Sequence, residues 1–276
     1  MFEVTETAGA VAITSSGQEV ALYVYNAPGH QPALTRLYAA NGAQLLANGP
    51  LDSPHHHGVW AGHGSVDGVD FWHNRHNSGR IVHRRFESVH GGEQSASITQ
   101  VCDWVQPNGV PLLTDTRTIV VSQGAGDAHC VDFEILLRAA GAATVTLAPV
   151  REFGMPALRV ARELAPRGGG AMQSADGATT EKAMLGKRSR WVHFSGKVGR
   201  HSAGIAIMED PRNNDHPTAW YVRDYGLAAG NGPLFADEPL TVAPRRPLRF
   251  RYRIWAHNGL HEEVSAAWDR FAAAPV

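Results

Sequence analysis

The residues best suited to chemistry are concentrated between positions 52 and 73. This segment of 22 residues holds five His, three Asp and two Trp, and its histidines include the run His55-His56-His57 and the nearby His63. Histidine titrates near neutral pH and is also the commonest metal ligand. The segment therefore predicts either proton transfer or metal binding.

Two of these histidines are placed to hold one metal ion. In an extended chain His55 and His57 share a face and lie about 6–7 Å apart at Cα, which suits two ligands of a divalent ion. On a straight strand His63 would lie about 20 Å farther on, so a third ligand has to come from elsewhere. For that role we consider His83, Glu152, His193 and His216. A divalent metal ion is thus the one cofactor that the sequence suggests, and it belongs to this alternative.

Three other segments, 151–159, 187–193 and 213–225, mix charged and aromatic side chains beside predicted turns. Such mixtures suit sugars, because apolar CH faces stack on aromatic rings while hydroxyl groups form hydrogen bonds. We expect these segments and 55–73 to line one concave face.

The predicted catalytic residues are His56, His57, His63, Glu152, Lys187 and His216. The predicted substrate-binding residues are Trp60, Asp70, Trp72, Arg159, Trp191, Asn213, Trp220, Arg223 and Tyr225.

The elements that must position these residues are mostly strands. Residues 130–138 and 248–254 alternate apolar and charged side chains, the period of a half-buried antiparallel strand. Hairpin turns are predicted at Asn41-Gly42, Gly91-Gly92 and Asn108-Gly109. We expect a meander of long strands from about 82 to 152, a strand over 143–150, an irregular loop over 166–182, and one substantial helix over 260–274. The prediction is an all-β chain: a single large antiparallel β-sandwich domain over 1–276 with a short C-terminal helix.

Composition narrows the classes of partner. The 25 Lys and Arg nearly balance the 26 Asp and Glu, for a formal net charge of −1, so a nucleic-acid-binding role is not expected. The sequence has no apolar run long enough to span a membrane. The acidic N-terminal residues do not resemble a signal peptide, which favours a cytoplasmic location with Cys102 and Cys130 as free thiols. The expected partner is a small sugar-like molecule, and the sequence predicts no oligomeric state.

Several motifs together resemble a known family. They are Pro54–Trp60, Gly62-His63-Gly64, Gly68–Trp72, 210–218, 220–226 and Tyr252-Arg253. Across roughly 20–258 the chain resembles a bacterial family of unknown function labelled methane oxygenase PmoA-like. The resemblance implies a β-sandwich like the galactose-mutarotase supersandwich, encoded near sugar-catabolic genes. Family members commonly have Arg where this chain has His57.

Three functions remain open from the sequence. The first is an enzyme acting on a sugar, glycoside or sugar-derived compound by His, Glu and Lys acid–base chemistry, of isomerase, epimerase or lyase type, with Arg159 or Arg223 holding a carboxylate or enediolate oxygen. The second is a metal-dependent hydrolase or lyase that uses His55 and His57. The third is a non-catalytic carbohydrate-binding protein with tryptophan rings as stacking platforms.

Overall fold

The computed structural model describes residues 1–29, 31–236, 238–259 and 264–274. Within these ranges the chain forms two antiparallel sheets of eight strands and a third sheet of two short strands. The strands are β1 (Phe2–Thr7), β2 (Ala10–Ser15), β3 (Gln18–Val24), β4 (Ala33–Leu37), β5 (Val59–His63), β6 (Arg80–His90), β7 (Ser95–Val105), β8 (Pro111–Gln123), β9 (His129–Ala139), β10 (Val145–Leu147), β11 (Phe153–Arg159), β12 (Ala171–Ser174), β13 (Trp191–Val198), β14 (His201–Glu209), β15 (Trp220–Arg223), β16 (Leu227–Gly230), β17 (Leu240–Val242) and β18 (Leu248–His257). The helices are α1 (Glu181–Met184) and α2 (Val264–Ala273), and 3₁₀ turns lie at Ala125–Asp127, Arg162–Leu164, Pro166–Gly168 and Gly232–Phe235.

The order of the strands is largely sequential. The first sheet runs β1-β2-β3-β4-β5-β11-β16-β15, and the second runs β12-β13-β14-β18-β9-β8-β7-β6. Strands β6 to β9 are each eleven to thirteen residues long and pair with their neighbours in sequence. The predicted meander is therefore confirmed as far as residue 139.

The period-two pattern predicted which side of β9 is buried. Val131, Phe133, Ile135 and Leu137 lie in the core. The charged residues between them point to the opposite face, where Asp132 accepts hydrogen bonds from the guanidinium group of Arg253 in β18. Successive side chains of a strand point to opposite faces, so this alternation predicts a strand with one face against the core.

The main hydrophobic core lies between the two large sheets. It joins residues of the first sheet, such as Ile13 and Val222, to residues of the second, such as Ile119 and Phe133. Burial of apolar surface stabilises the folded state by about 25 cal/mol per Å². Because both sheets contribute residues to this one cluster, its burial holds the two sheets together. The prediction of an antiparallel β-sandwich with a short C-terminal helix is confirmed.

Helix α2 covers the outer face of the second sheet. Val264, Ala267 and Phe271 pack on Trp191 and Trp255 in a separate apolar cluster. The helix predicted over 260–274 is confirmed from 264 to 273, and residues 260–263 lie outside the described residues. Among the described residues no helix is long and apolar enough to cross a membrane.

Two segments differ from the prediction. The strand expected over 143–150 is limited to β10, because beyond Leu147 the backbone N–H of Ala148 donates to Ser65 rather than continuing the ladder. The loop expected over 166–182 contains β12 and α1. Strand β12 pairs with β13 through only four residues and places Met172 in the core, and four residues are too few for an alternating pattern to be recognised.

Both cysteines are free, as predicted, and both are buried. Cys102 lies in the main core and Cys130 lies beneath α2. Burial raises the pKa of both thiols, because a thiolate would lose its hydration there. Each therefore behaves as a small apolar side chain.

Candidate functional site

The outer face of the first sheet carries most of the predicted site residues. Alternation in β5 and β11 sends Val59 and Leu158 to the core, and sends Trp60, Ala157 and Arg159 to the other side. Trp60 and Ala157 form a small apolar cluster with Trp72 and with residues of β15 and β16. The loops that hold His55, His56 and Trp72 meet this face. We call this outer face, together with the loops that meet it, the outer site.

Three imidazole rings lie side by side in the outer site. The ring centroid of His55 is 4.5 Å from that of His73 and 4.5 Å from that of His56. The His56 ring stacks on Trp60 at 5.0 Å and meets the edge of Trp72 at 5.9 Å. We refer to His73, His55 and His56 as the histidine row, and the two buried indoles support its inner end.

One end of the row is a histidine–carboxylate pair. Asp70 Oδ1 accepts hydrogen bonds from the backbone N–H groups of Trp72 and His73, so the aspartate is held by its own turn. Asp70 Oδ2 lies 2.9 Å from His73 Nδ1. A carboxylate only accepts hydrogen bonds, so Nδ1 carries a ring proton, and in the neutral form of the ring Nε2 carries the lone pair. This is the arrangement of a proton acceptor oriented by a carboxylate.

The other end of the row is joined to a buried arginine. Arg159 Nη1 lies 3.0 Å from His56 Nδ1, and Arg159 Nη2 lies 3.0 and 2.8 Å from the two carboxylate oxygens of Asp52. Arginine only donates hydrogen bonds, so His56 Nδ1 is the acceptor and Nε2 carries the proton. Burial, together with the neighbouring histidines and Arg159, lowers the pKa of His56 to about 2. His56 is therefore neutral and offers an N–H donor.

The middle ring is also neutral. Burial, followed by the proximity of His73 and Arg75, lowers the pKa of His55 to about 4. His55 borders an open cleft of about 460 Å³ that is lined by Gly29, Pro54, His55, His73, Asn74 and Arg75. The row therefore runs from this cleft toward the buried Arg159.

Tyr225 and three arginines complete the outer site. The guanidinium carbon of Arg159 lies 4.6 Å from the Tyr225 ring centroid, and those of Arg167 and Arg223 lie 5.6 Å from it. Each arginine has an acidic partner: Asp52 for Arg159, Asp224 for Arg167, and Glu181 for Arg223. Burial raises the pKa of Tyr225 to about 12, so its hydroxyl stays protonated at neutral pH.

Three of the predicted catalytic residues make contacts away from the row. His57 Nδ1 lies 3.0 Å from the side-chain oxygen of Asn48. His63 has the core-facing parity of β5, its ring edge meets Phe153, and its Nδ1 donates to the backbone oxygen of Glu152 at 3.0 Å. Burial lowers the pKa of His63. The structure therefore gives His57 and His63 partners in the scaffold, and Glu152 contacts His63 through its main chain.

Lys187, Trp191 and Trp220 lie outside the outer site. Lys187 is exposed beside α1. Trp191 packs beneath α2, and Trp220 lies in the main core with its Nε1 donating to the backbone oxygen of Ser189. Trp60 and Trp72 are buried as well. Because all four indoles are covered, we consider instead the ring of Tyr225, which is partly exposed at this site.

Asn213 and His216 surround a different carboxyl group, that of Glu209 at the end of β14. Glu209 Oε2 lies 3.0 Å from His216 Nδ1 and accepts a hydrogen bond from the backbone N–H of Thr218 at 2.8 Å. Asn213 bonds to the main chain of Arg251. Of the four segments expected to meet, 187–193 and the first part of 213–225 therefore belong to the surroundings of the second sheet.

The metal site predicted at His55 and His57 rests on an extended backbone that the chain does not adopt. Residues 54 and 55 form a turn, with the His56 N–H donating to Ser53, and His57 forms an isolated bridge with Asn48. The His55 ring belongs to the histidine row and contacts His73, whereas His57 bonds to Asn48. Among the described residues no group of three or more His, Cys, Asp or Glu is arranged to hold a metal ion. A divalent metal here stays a prediction.

Sequence reasoning missed His73 and Asp52 as site residues. Asp70 and His73 are three residues apart, a spacing at which a turn brings an aspartate back onto its own chain. That spacing could have identified the pair. Asp52 gave no such signal, because its partner Arg159 is more than a hundred residues away in sequence.

The chain belongs to a family of unknown function, DUF6807, whose sequence profile matches residues 10–269. No curated protein matches it. Among solved structures it is similar to a GalM/aldose epimerase homologue from C. elegans, with 11% identity, a TM-score of 0.41, and coverage of 93% of this chain and 98% of that one. It is also similar to a galactose 1-epimerase from Lactobacillus acidophilus, with 8% identity, a TM-score of 0.39, and coverage of 92% and 98%. The resemblance to the PmoA-like family stays a prediction.

Proposed function

We propose that this member of the DUF6807 family is an enzyme that transfers a proton on a sugar or sugar-derived compound, with the outer site as its reaction centre. The observation that carries the proposal is the Asp70–His73 pair, 2.9 Å apart, at the edge of a cleft and in one row with a neutral N–H donor. Isomerases, epimerases and lyases all need one group that takes a proton and another that stabilises the charge left behind.

His73 is the proton acceptor in this proposal. Asp70 holds the ring through Nδ1, so the Nε2 lone pair is left for the substrate. Asp70 also stabilises the imidazolium that forms when Nε2 takes a proton, as the aspartate of a catalytic triad does. The imidazolium then returns the proton to the neighbouring carbon of the enediolate, which completes an isomerisation.

His56 and Arg159 stabilise negative charge. His56 cannot serve as the base, because its Nδ1 lone pair accepts a hydrogen bond from Arg159 and its pKa is about 2. Its Nε2–H is instead a neutral donor held in a largely dry position. Such preorganised donors are most effective where charge develops on an oxygen atom during the reaction.

The shape and polarity of the site favour a sugar-sized substrate. The cleft of about 460 Å³ lies within the range of roughly 300–1,000 Å³ that is typical of small-molecule sites. Tyr225 offers a partly exposed ring for an apolar CH face, and the histidine row offers hydrogen-bonding groups beside the cleft. Small polyhydroxylated compounds combine these two requirements.

The test measures the turnover of a panel of sugars by wild type and by His73→Ala. NMR exchange spectroscopy detects conversion between anomers and epimers, and absorbance detects elimination products. We expect His73→Ala to lower kcat by roughly 10²–10⁴-fold, the range for a positioned proton-transfer group. Asp70→Asn should also lower kcat, because asparagine can donate to Nδ1 and favour the wrong tautomer.

His90→Ala is the matched control, since His90 is exposed at the end of β6 and away from the outer site. Its kcat should equal that of wild type. If His73→Ala and His90→Ala turn over every substrate of the panel equally well, His73 is not the proton acceptor and the proposal fails.

A further inference from the structure

The outer site holds buried hydrogen-bond donors that lack acceptors. Among the described residues, Arg159 Nε and Trp60 Nε1 are both buried without a hydrogen-bond partner. Both side chains contact the ring of His56, Trp60 by stacking and Arg159 through Nη1. His56 Nε2–H is a further donor beside these two, because Nδ1 is the atom that accepts from Arg159. Leaving a buried donor unpaired destabilises the folded protein, so this arrangement suits a ligand that brings acceptor atoms.

Asp52 shows which kind of acceptor the arginine binds. Both of its carboxylate oxygens lie within 3.0 Å of Arg159 Nη2, and a guanidinium group recognises planar carboxylates well. The two partners differ greatly in burial: the Asp52 side chain is 54% exposed, whereas that of Arg159 is 6% exposed. Asp52 also lies on a surface loop beside Leu51, which is fully exposed. A carboxylate from outside can therefore replace Asp52 and leave Asp52 in water.

We propose that the substrate is an acidic sugar whose carboxylate takes the place of Asp52 on Arg159. The inference rests on the proposed function for the sugar part and on Arg159 for the acidic part. The exchange keeps the buried guanidinium neutralised, and the carboxylate that it releases is already half exposed to water. A neutral sugar could meet the lone donors, but it would leave Arg159 without a counter-charge if it displaced Asp52.

The charge count favours a carboxylate over a phosphate. Arg167 and Arg223 keep their own partners, Asp224 and Glu181. Release of Asp52 therefore frees one positive charge, that of Arg159. One carboxylate balances that charge, whereas a phosphate monoester brings up to two negative charges.

The experiment measures binding by isothermal titration calorimetry with two matched pairs, D-galactose with D-galacturonate and D-glucose with D-glucuronate. In wild type we expect at least one uronate to bind roughly tenfold or more tightly than its neutral sugar. Asp52→Asn removes the internal competitor, so it should tighten uronate binding by about tenfold relative to the binding of the matched neutral sugar. Arg159→Lys loses the planar fork and should weaken uronate binding by tenfold or more.

Asp176→Asn is the charge-matched control, because Asp176 is exposed and lies outside the outer site. It should bind all four sugars as wild type does. Uronates that bind no better than neutral sugars would overturn the inference, as would weaker uronate binding in Asp52→Asn. Tighter binding of galactose 6-phosphate than of galacturonate would overturn it too.

Turnover separates this inference from the proposed function. If uronates bind as expected but neither they nor any sugar of the panel is converted, the acidic ligand stands and the acid–base proposal fails. If neutral sugars are converted through His73 with no preference for uronates, the proposed function stands and the acidic substrate is rejected.

Discussion

At the scale of single residues, the three imidazoles of the histidine row differ because their hydrogen-bond partners differ. Asp70 holds a proton on His73 Nδ1, and Arg159 keeps a proton off His56 Nδ1. Neighbouring rings of one chemical type therefore present opposite groups, a lone pair at one end and an N–H at the other. A site built from identical side chains can in this way contain both an acceptor and a donor.

The lowered pKa of His56 predicts how stability depends on pH. The folded chain protonates this ring only near pH 2, whereas an unfolded chain does so near pH 6.5. Between these values the unfolded state binds the extra proton, so acidification lowers the free energy of unfolding. For this group the loss from pH 7 to pH 5 is about 2 kcal/mol.

Urea unfolding at pH 7 and pH 5 measures the effect. His56→Gln removes the titrating group, so its stability should fall by about 2 kcal/mol less than that of wild type over this interval. His90→Gln, at an exposed position, should follow wild type. Equal losses in His56→Gln and wild type would show that His56 takes up its proton normally in the folded protein.

At the scale of elements, Glu209 joins three parts of the second sheet's surroundings. Its carboxyl group bonds to His216 and to the backbone of Thr218, and its backbone oxygen accepts from Trp268 Nε1 of α2 at 2.9 Å. The His216 ring stacks on Trp268 with centroids 6.1 Å apart. The loop after β14, which the sequence assigned to the catalytic site, is thus fixed to a strand and to the C-terminal helix.

Glu209 should make stability fall as pH rises. Burial raises its pKa to about 8, so from about pH 4.5 to pH 8 the folded chain keeps a proton that the unfolded chain has released. Glu209→Gln does not titrate. From pH 6 to pH 8 its free energy of unfolding should therefore rise by about 2 kcal/mol relative to wild type.

Glu209→Ala is the comparison variant for this prediction. It leaves the N–H of Thr218 without its acceptor, so urea unfolding should find it less stable than Glu209→Gln at both pH values. If the difference between Glu209→Gln and wild type is the same at pH 6 and pH 8, the carboxyl group is not protonated in the folded protein.

At the scale of the whole molecule, the sequence was informative about strands and less so about which face a residue reaches. Alternation identified β9 and β18, because each has a buried face and a charged face.

The sequence places Trp191 and Trp220 at the site, because composition does not distinguish an indole in a core from one in a cleft. His63 was assigned there because its segment is rich in histidine, although its parity in β5 directs it to the core. The pairs Asp52–Arg159 and Trp60–His56 depend on how β5, β11 and their loops meet, which no local pattern encodes.

The central claim is that sugar chemistry takes place at the outer site, and a crystal structure with the sugar that is turned over fastest tests it most directly. We predict the sugar on the outer face of the first sheet, with a reacting heavy atom within about 2.6–3.2 Å of His73 Nε2 and with an oxygen on the donors of His56 and Arg159. Sugar bound at a different location, with the histidine row free of sugar, would contradict the account. The clearest contradiction would be sugar in the cavity of about 170 Å³ that is lined by Glu209, Tyr252 and Phe250.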